Sequence, residues 1–88
     1  MNIDRAMQQV LIELRTATEK FGGFASYHEG YAVILEEMDE LWCEVKCRQV
    51  NRVALRVEVT QIAAMAIRFL VDLIPDDLGG SDVHGSAK

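Results

Sequence analysis

From Ile62 to Ile67 the chain reads IAAMAI, six apolar residues in a row. The run lies inside a segment with helical spacing from about Ala54 to Leu73. A helix that is hydrophobic all round has to be covered all round, and no other feature constrains the fold as much. The segment stops before Pro75, which cannot continue a helix and disfavours helix in the residue before it. The rest of the chain must therefore supply the cover.

Two more segments have the right periodicity. Ile3, Met7, Val10, Leu11, Leu14 and Phe21 recur at helical spacing. Asn2 or Asp4 can cap that helix, and Gly22–Gly23 ends it, because glycine tolerates the left-handed backbone that closes helices. The next segment opens with Ser26 and, three residues on, Glu29, a capping-box pattern. It is predicted to reach about Arg48 and to bury Tyr31, Ile34, Leu35, Met38, Leu41, Trp42 and Val45 on one face. The connection CRQVNRVA is short enough for an antiparallel helical hairpin. These readings predict an all-α fold, an antiparallel bundle of three main helices over residues 1–74. The remainder, 75–88, is rich in Gly, Ser and Asp, has no periodicity, and reads as a flexible tail. Half of the 88 residues are hydrophobic. A chain this short covers only a modest part of its own surface, so oligomerisation is expected to complete the bundle.

Charge and cysteine content narrow the function. A net charge of −5 argues against a nucleic-acid binder, which needs a basic stripe. It suits a protein that binds cations, or that meets phosphates through a bridging metal. Met1–Asn2–Ile3–Asp4 shows no basic start followed by an apolar stretch, so no secretory signal is expected. The most apolar stretch, Gln61 to Ile74, is too short to span a membrane and is interrupted by Arg68 and Asp72. Cys43 and Cys47 sit one helical turn apart and read as reduced thiols in a cytoplasm. As zinc ligands they would need His28 and His84, to which no recognisable spacing links them.

The chemistry lies in HEGYAVILEEMDELWCEV, His28 to Val45, which holds six acidic residues among large apolar ones. Like charges one turn apart on a helix repel. Such a run is either a solvated face or a set of carboxylates held together for a cation. Glu37 and Glu40 share a face at i, i+3, and Glu44 extends that ridge. Glu58 and Gln61 share a face of the following helix in the same way. An antiparallel hairpin sets these pairs opposite each other, with axes roughly 8–10 Å apart. Three carboxylates and one amide oxygen would then line one oxygen-ligand site of the kind that suits Mg²⁺. Glu58 opens an almost wholly apolar helix, where charge without a partner costs free energy. Its alternative role is a favourable charge at the helix start. Trp42 reads as a core residue before a base-stacking one, His28 and Tyr31 as capping or surface residues, and Arg68 as a partner of Asp72 at i+4. Arg68 and Lys46 are weaker candidates for a phosphate contact, pairing with Asp72 or another acid being the alternative for Arg68.

The paired motifs EEMDE, Glu36 to Glu40, and EVTQ, Glu58 to Gln61, each set in its helix, resemble those of the MazG-like nucleotide pyrophosphohydrolases. That family belongs to the all-α NTP pyrophosphatases and carries E-E-x-x-E on one helix and E-x-x-D on the next. The similarity covers about Tyr27 to Leu73 and suits the short, single-domain members. The resemblance implies an all-helical fold that assembles as a homodimer or a dimer of dimers. It also implies Mg²⁺-dependent cleavage of a nucleoside triphosphate between its α- and β-phosphates, giving a monophosphate and pyrophosphate. Carried over residue by residue, it makes Glu37, Glu40 and Glu58 metal ligands, with Gln61 at the fourth position. Glu36, Glu37, Glu40 and Glu58 become the catalytic carboxylates. Gln61 stands where the family pattern has Asp; it brings an oxygen but no charge and cannot act as a base. A non-catalytic helical module that binds nucleotides or other proteins is the alternative this departure leaves open.

Overall fold

The computed structural model describes residues 1–76. They form three helices, α1 (Ile3–Phe21), α2 (Tyr27–Val45) and α3 (Arg52–Leu73). The tail expected over 75–88 lies, from residue 77 on, outside the described residues.

Each helix starts at a side-chain cap that offers an oxygen to otherwise unpaired N–H groups. The Asn2 side chain accepts from the Arg5 N–H at 2.9 Å. Ser26 Oγ accepts from the Glu29 N–H at 3.0 Å, while the Glu29 carboxylate reaches back to the Ala25 N–H. Asn51 Oδ1 accepts from both Val53 and Ala54 N–H groups, at 3.0 and 3.1 Å. That double cap starts α3 at Arg52, two residues ahead of the sequence expectation. At the end of α1, Gly22 takes up φ 72°, and its N–H donates to the Thr18 carbonyl.

Helix α3 is the middle element, and α1 and α2 pack chiefly against it. Its cover is only partial: Ala64 and Met65 of the apolar run are buried, but Ala66 and Ile67 are exposed, as are Val57, Val59, Leu70 and Val71, so two neighbouring helices do not supply the all-round burial expected from the sequence. The helices run up, down and up. The start of α2 meets the end of α3, where Gly30 is buried against Phe69 and Leu73 and Tyr27 stacks on Phe69 with ring centroids 6.1 Å apart. A Cβ on Gly30 would stand 2.6 Å from Phe69 Cδ2, inside van der Waals contact. Glycine is what lets the two helices approach this closely.

The core is small. Ala17, Ala64 and Met65 are buried, with Val10, Leu14, Phe24, Val33 and Ile34 packed around them. No large side chain among the described residues is fully buried. On α2 the structure departs from the sequence expectation. Tyr31, Leu35, Met38, Trp42 and Val45 are exposed. Ile34 and Leu41 of the expected face do turn inward, and with them Gly30, Val33, Glu37 and Glu44, all buried or half-buried. The close approach at Gly30 fixes the rotation of α2 and points its mixed apolar and acidic ridge inward. Trp42 is 58% exposed, with the Lys46 ammonium 5.7 Å from its ring centroid. No helix of the described residues is long and apolar enough to cross a membrane.

Candidate functional site

The inward ridge of α2 brings Glu37 and Glu40 against Glu58 on α3. One carboxylate oxygen from each lies within 4.8 Å of the other two. Glu37 and Glu58 are half-buried and Glu40 is exposed, so the cluster sits at the rim of the helix packing with one side open to water. Oε1 of Glu37 and Oε1 of Glu58 are both buried without a hydrogen-bond partner. A buried oxygen with no donor in reach is an unfavourable arrangement unless something neutralises it.

Two things can neutralise it, a proton or a cation. With protons alone, the Glu37 carboxyl is pushed up to about 7. Desolvation is the largest cause, followed by the charges of Glu40 and Glu58, hydrogen bonding to Glu40 and the charge of Glu36. The Glu58 carboxyl is raised for the same reasons, burial first and then Glu40, with Glu44 adding to the repulsion. These are the forces that raise pKa values in carboxylate pairs at functional sites. The alternative is a cation. One oxygen from each of the three carboxylates lies within 4.8 Å of the others, so the side chains would have to draw in slightly to share an ion whose oxygen ligands sit about 2.1 Å from it. The donor set is all oxygen, which fits a hard divalent ion.

The remaining candidates divide. Gln61 is half-buried, one turn beyond Glu58 on α3, and lines the same cavity as Glu36 and Glu37. Glu36 is exposed and stands outside the three-carboxylate cluster, acting on Glu37 through its charge. Tyr31 and His28 are exposed. Cys43 and Cys47 are free and exposed, and the metal-ligand grouping among the described residues includes neither. Arg68 pairs with Asp72 as its i+4 spacing suggests, at 3.9 Å.

The cavity that includes Glu36, Glu37 and Gln61 has a volume of about 550 Å³ and runs between all three helices. Glu13, Thr16, Lys20 and Phe24 from the α1 side, Glu29 from α2 and Arg68 from α3 also line it. The sequence did not reveal this part. Gln61 and Arg68 are seven residues apart on α3, nearly two full turns, which marks Arg68 as pointing the same way as Gln61. Nothing in the spacing of α1 marks Thr16 or Lys20 as neighbours of the acids. Glu44 was visible on the Glu37–Glu40 ridge, but its pressure on Glu58 emerges only once the helices are packed. A larger groove of about 720 Å³ lies between α1 and α3, lined by Met7, Val10, Leu11, Leu14, Ala63 and Ile67, and carries none of the clustered carboxylates.

No family model matches this chain, and no curated protein or solved structure matches it.

Proposed function

We propose that the chain is a Mg²⁺-dependent nucleoside triphosphate pyrophosphohydrolase, as its likeness to the MazG-like enzymes implies. The observation that carries the reading is the convergence of Glu37, Glu40 and Glu58 from two helices, with two oxygens buried and unpartnered. A structural bundle gains nothing from opposing three acids across a hairpin, whereas a cation turns their repulsion into binding energy.

In this reading Glu37, Glu40 and Glu58 hold the ion and Gln61 adds a neutral oxygen from the same cavity wall. When bound, Mg²⁺ supplies charge neutralisation and positioning for the phosphate oxygens, the dominant contributions to phosphoryl transfer. The water oxygen bonds to the α-phosphorus, the bond to the α,β-bridging oxygen breaks, and monophosphate and pyrophosphate leave. One of the same glutamates, or Glu36 on the cavity wall, accepts the proton of that water. The half-buried position of Glu37 and Glu58 limits water around the site and strengthens every charge interaction there.

The partner proposed for the chain is a second copy, as a homodimer or a dimer of dimers. Tyr31, Leu35, Met38, Trp42 and Val45 recur at spacings of four, three, four and three residues. That is the seam of a left-handed helical pairing, and every member is exposed. A stripe of this kind is complementary to itself across a two-fold axis.

The test is pyrophosphate release from a panel of nucleoside triphosphates with Mg²⁺, repeated with Glu40→Gln. Turnover that the substitution abolishes supports the reading. No turnover on any substrate, together with no Mg²⁺-dependent rise in melting temperature, overturns it. That result would favour the non-catalytic module, the reading that the neutral Gln61 supports.

A further inference from the structure

Arg68 is the only charged residue buried among those described, with 5% of its surface exposed, and it forms part of the wall of the 550 Å³ cavity. Its guanidinium lies over the Phe24 ring, 4.4 Å from the centroid. One terminal nitrogen donates to the Gly22 carbonyl. The Nε group faces Asp72 Oδ2 at 3.9 Å, and that oxygen already accepts the Phe24 N–H at 2.9 Å. The other terminal nitrogen, Nη1, has only the thioether sulfur of Met65, at 3.6 Å. Thioether sulfur is a weak acceptor, and a guanidinium offers five donors and no acceptor. A buried cation with an under-used donor edge on a cavity wall is favourable when an acceptor enters that cavity.

The position of the acceptor follows from α3. Arg68 is seven residues, about two turns, beyond Gln61 on α3, about 10 Å at 1.5 Å per residue, and both line the cavity that Glu37 also lines. A ligand anchored by its phosphates at the Glu37 and Gln61 end of that cavity therefore brings its far end to Arg68. We infer that Arg68 reads the base of the nucleotide and selects bases that present a carbonyl oxygen to it, guanine and hypoxanthine above adenine. This inference rests on the hydrolase reading above for the placement of the phosphates. An Arg edge pairs in bidentate fashion with the O6 and N7 acceptors of a 6-oxopurine, whereas adenine offers an amino donor where O6 would be. The base enters neutral, which suits a cavity that Glu36 and Glu37 also line and that would disfavour a free second anion.

The experiment measures binding of the α,β-methylene analogues of GTP and ATP with Mg²⁺ by calorimetry, alongside kcat/KM for GTP, ITP and ATP. The wild-type chain is expected to prefer the oxopurines by about tenfold or more, the usual discrimination of a bidentate pair. Arg68→Gln, which can pair with adenine, is expected to lower or reverse that ratio. An Arg68 that merely pins the Gly22–Phe24 loop would lower stability and leave the ratio unchanged. If Arg68→Gln fails to fold by circular dichroism, the wild-type ratio still decides. Equal binding of the two analogues by the wild type overturns the inference and leaves the hydrolase reading standing. Preferential binding of the GTP analogue without turnover of any triphosphate supports the inference and overturns the hydrolase reading. No binding of either analogue overturns the inference.

Discussion

Replacing Glu37 with Gln should stabilise the metal-free protein at neutral and alkaline pH. The folded Glu37 carboxyl is pushed up from 4.5 to about 7 by burial and by its acidic neighbours. The fold therefore binds this proton more tightly than the unfolded chain does. The stability it lends is fully present below about 4.5 and is lost as pH rises toward 7. At about 1.4 kcal/mol per pH unit, and allowing for the half-exposed setting, ionising Glu37 costs the fold about 2–3 kcal/mol. In a domain of this size that corresponds to roughly 10–20 °C in melting temperature. Glu58, raised in the same direction, adds to the trend. Thermal melts of wild type and Glu37→Gln in chelator at pH 5 and pH 8 measure the effect. Wild type should melt much lower at pH 8 than at pH 5, and the variant should change far less. Comparing the two proteins cancels the titration of carboxylates remote from Glu37, leaving that of Glu37 and of the acids coupled to it. Mg²⁺ at pH 8 should restore the wild type, since a ligand that binds only the fold stabilises it by RT ln(1 + [L]/Kd). The variant should respond weakly. An equal pH slope in both proteins would refute the account of Glu37, and an equal Mg²⁺ response would refute its role as a ligand.

Other outcomes follow from the same geometry. Gln61→Asp offers a fourth acid beside the cluster of Glu37, Glu40 and Glu58; Mg²⁺ should then bind more tightly in a calorimetric titration, and pyrophosphate release should rise. Gly30→Ala places a methyl 2.6 Å from the Phe69 ring; urea unfolding should show a loss of about 1–3 kcal/mol, the usual cost of overpacking. Met38→Glu puts a charge in the middle of the exposed α2 seam; analytical ultracentrifugation should find the wild type associated and the variant shifted toward monomer. A wild type that is monomeric at every concentration would sink that proposal.

The three helices were legible because periodicity, caps and breakers agreed: Asn2, Ser26, the glycine pair and Pro75 mark ends, and apolar spacing marks what lies between. The pairing of Glu37 and Glu40 with Glu58 was legible for a related reason, since a hairpin of two helices has few ways to set its i, i+3 pairs. What the periodicity did not settle was the rotation of α2. Its apolar residues occupy more than one face, so either Tyr31, Leu35, Met38, Trp42 and Val45 or Gly30, Val33, Ile34 and Leu41 can turn inward. Burial favours the larger set, yet the structure turns the smaller one toward α3. Gly30 decides this, because only a residue without a side chain lets α2 close on Phe69. The same rotation carries Glu37 and Glu44 inward beside Glu58. The arrangement that forms the acidic site is therefore the one that leaves the large apolar stripe facing water, and a second copy laid on that stripe would bury it while leaving the carboxylates of each chain open on the opposite side.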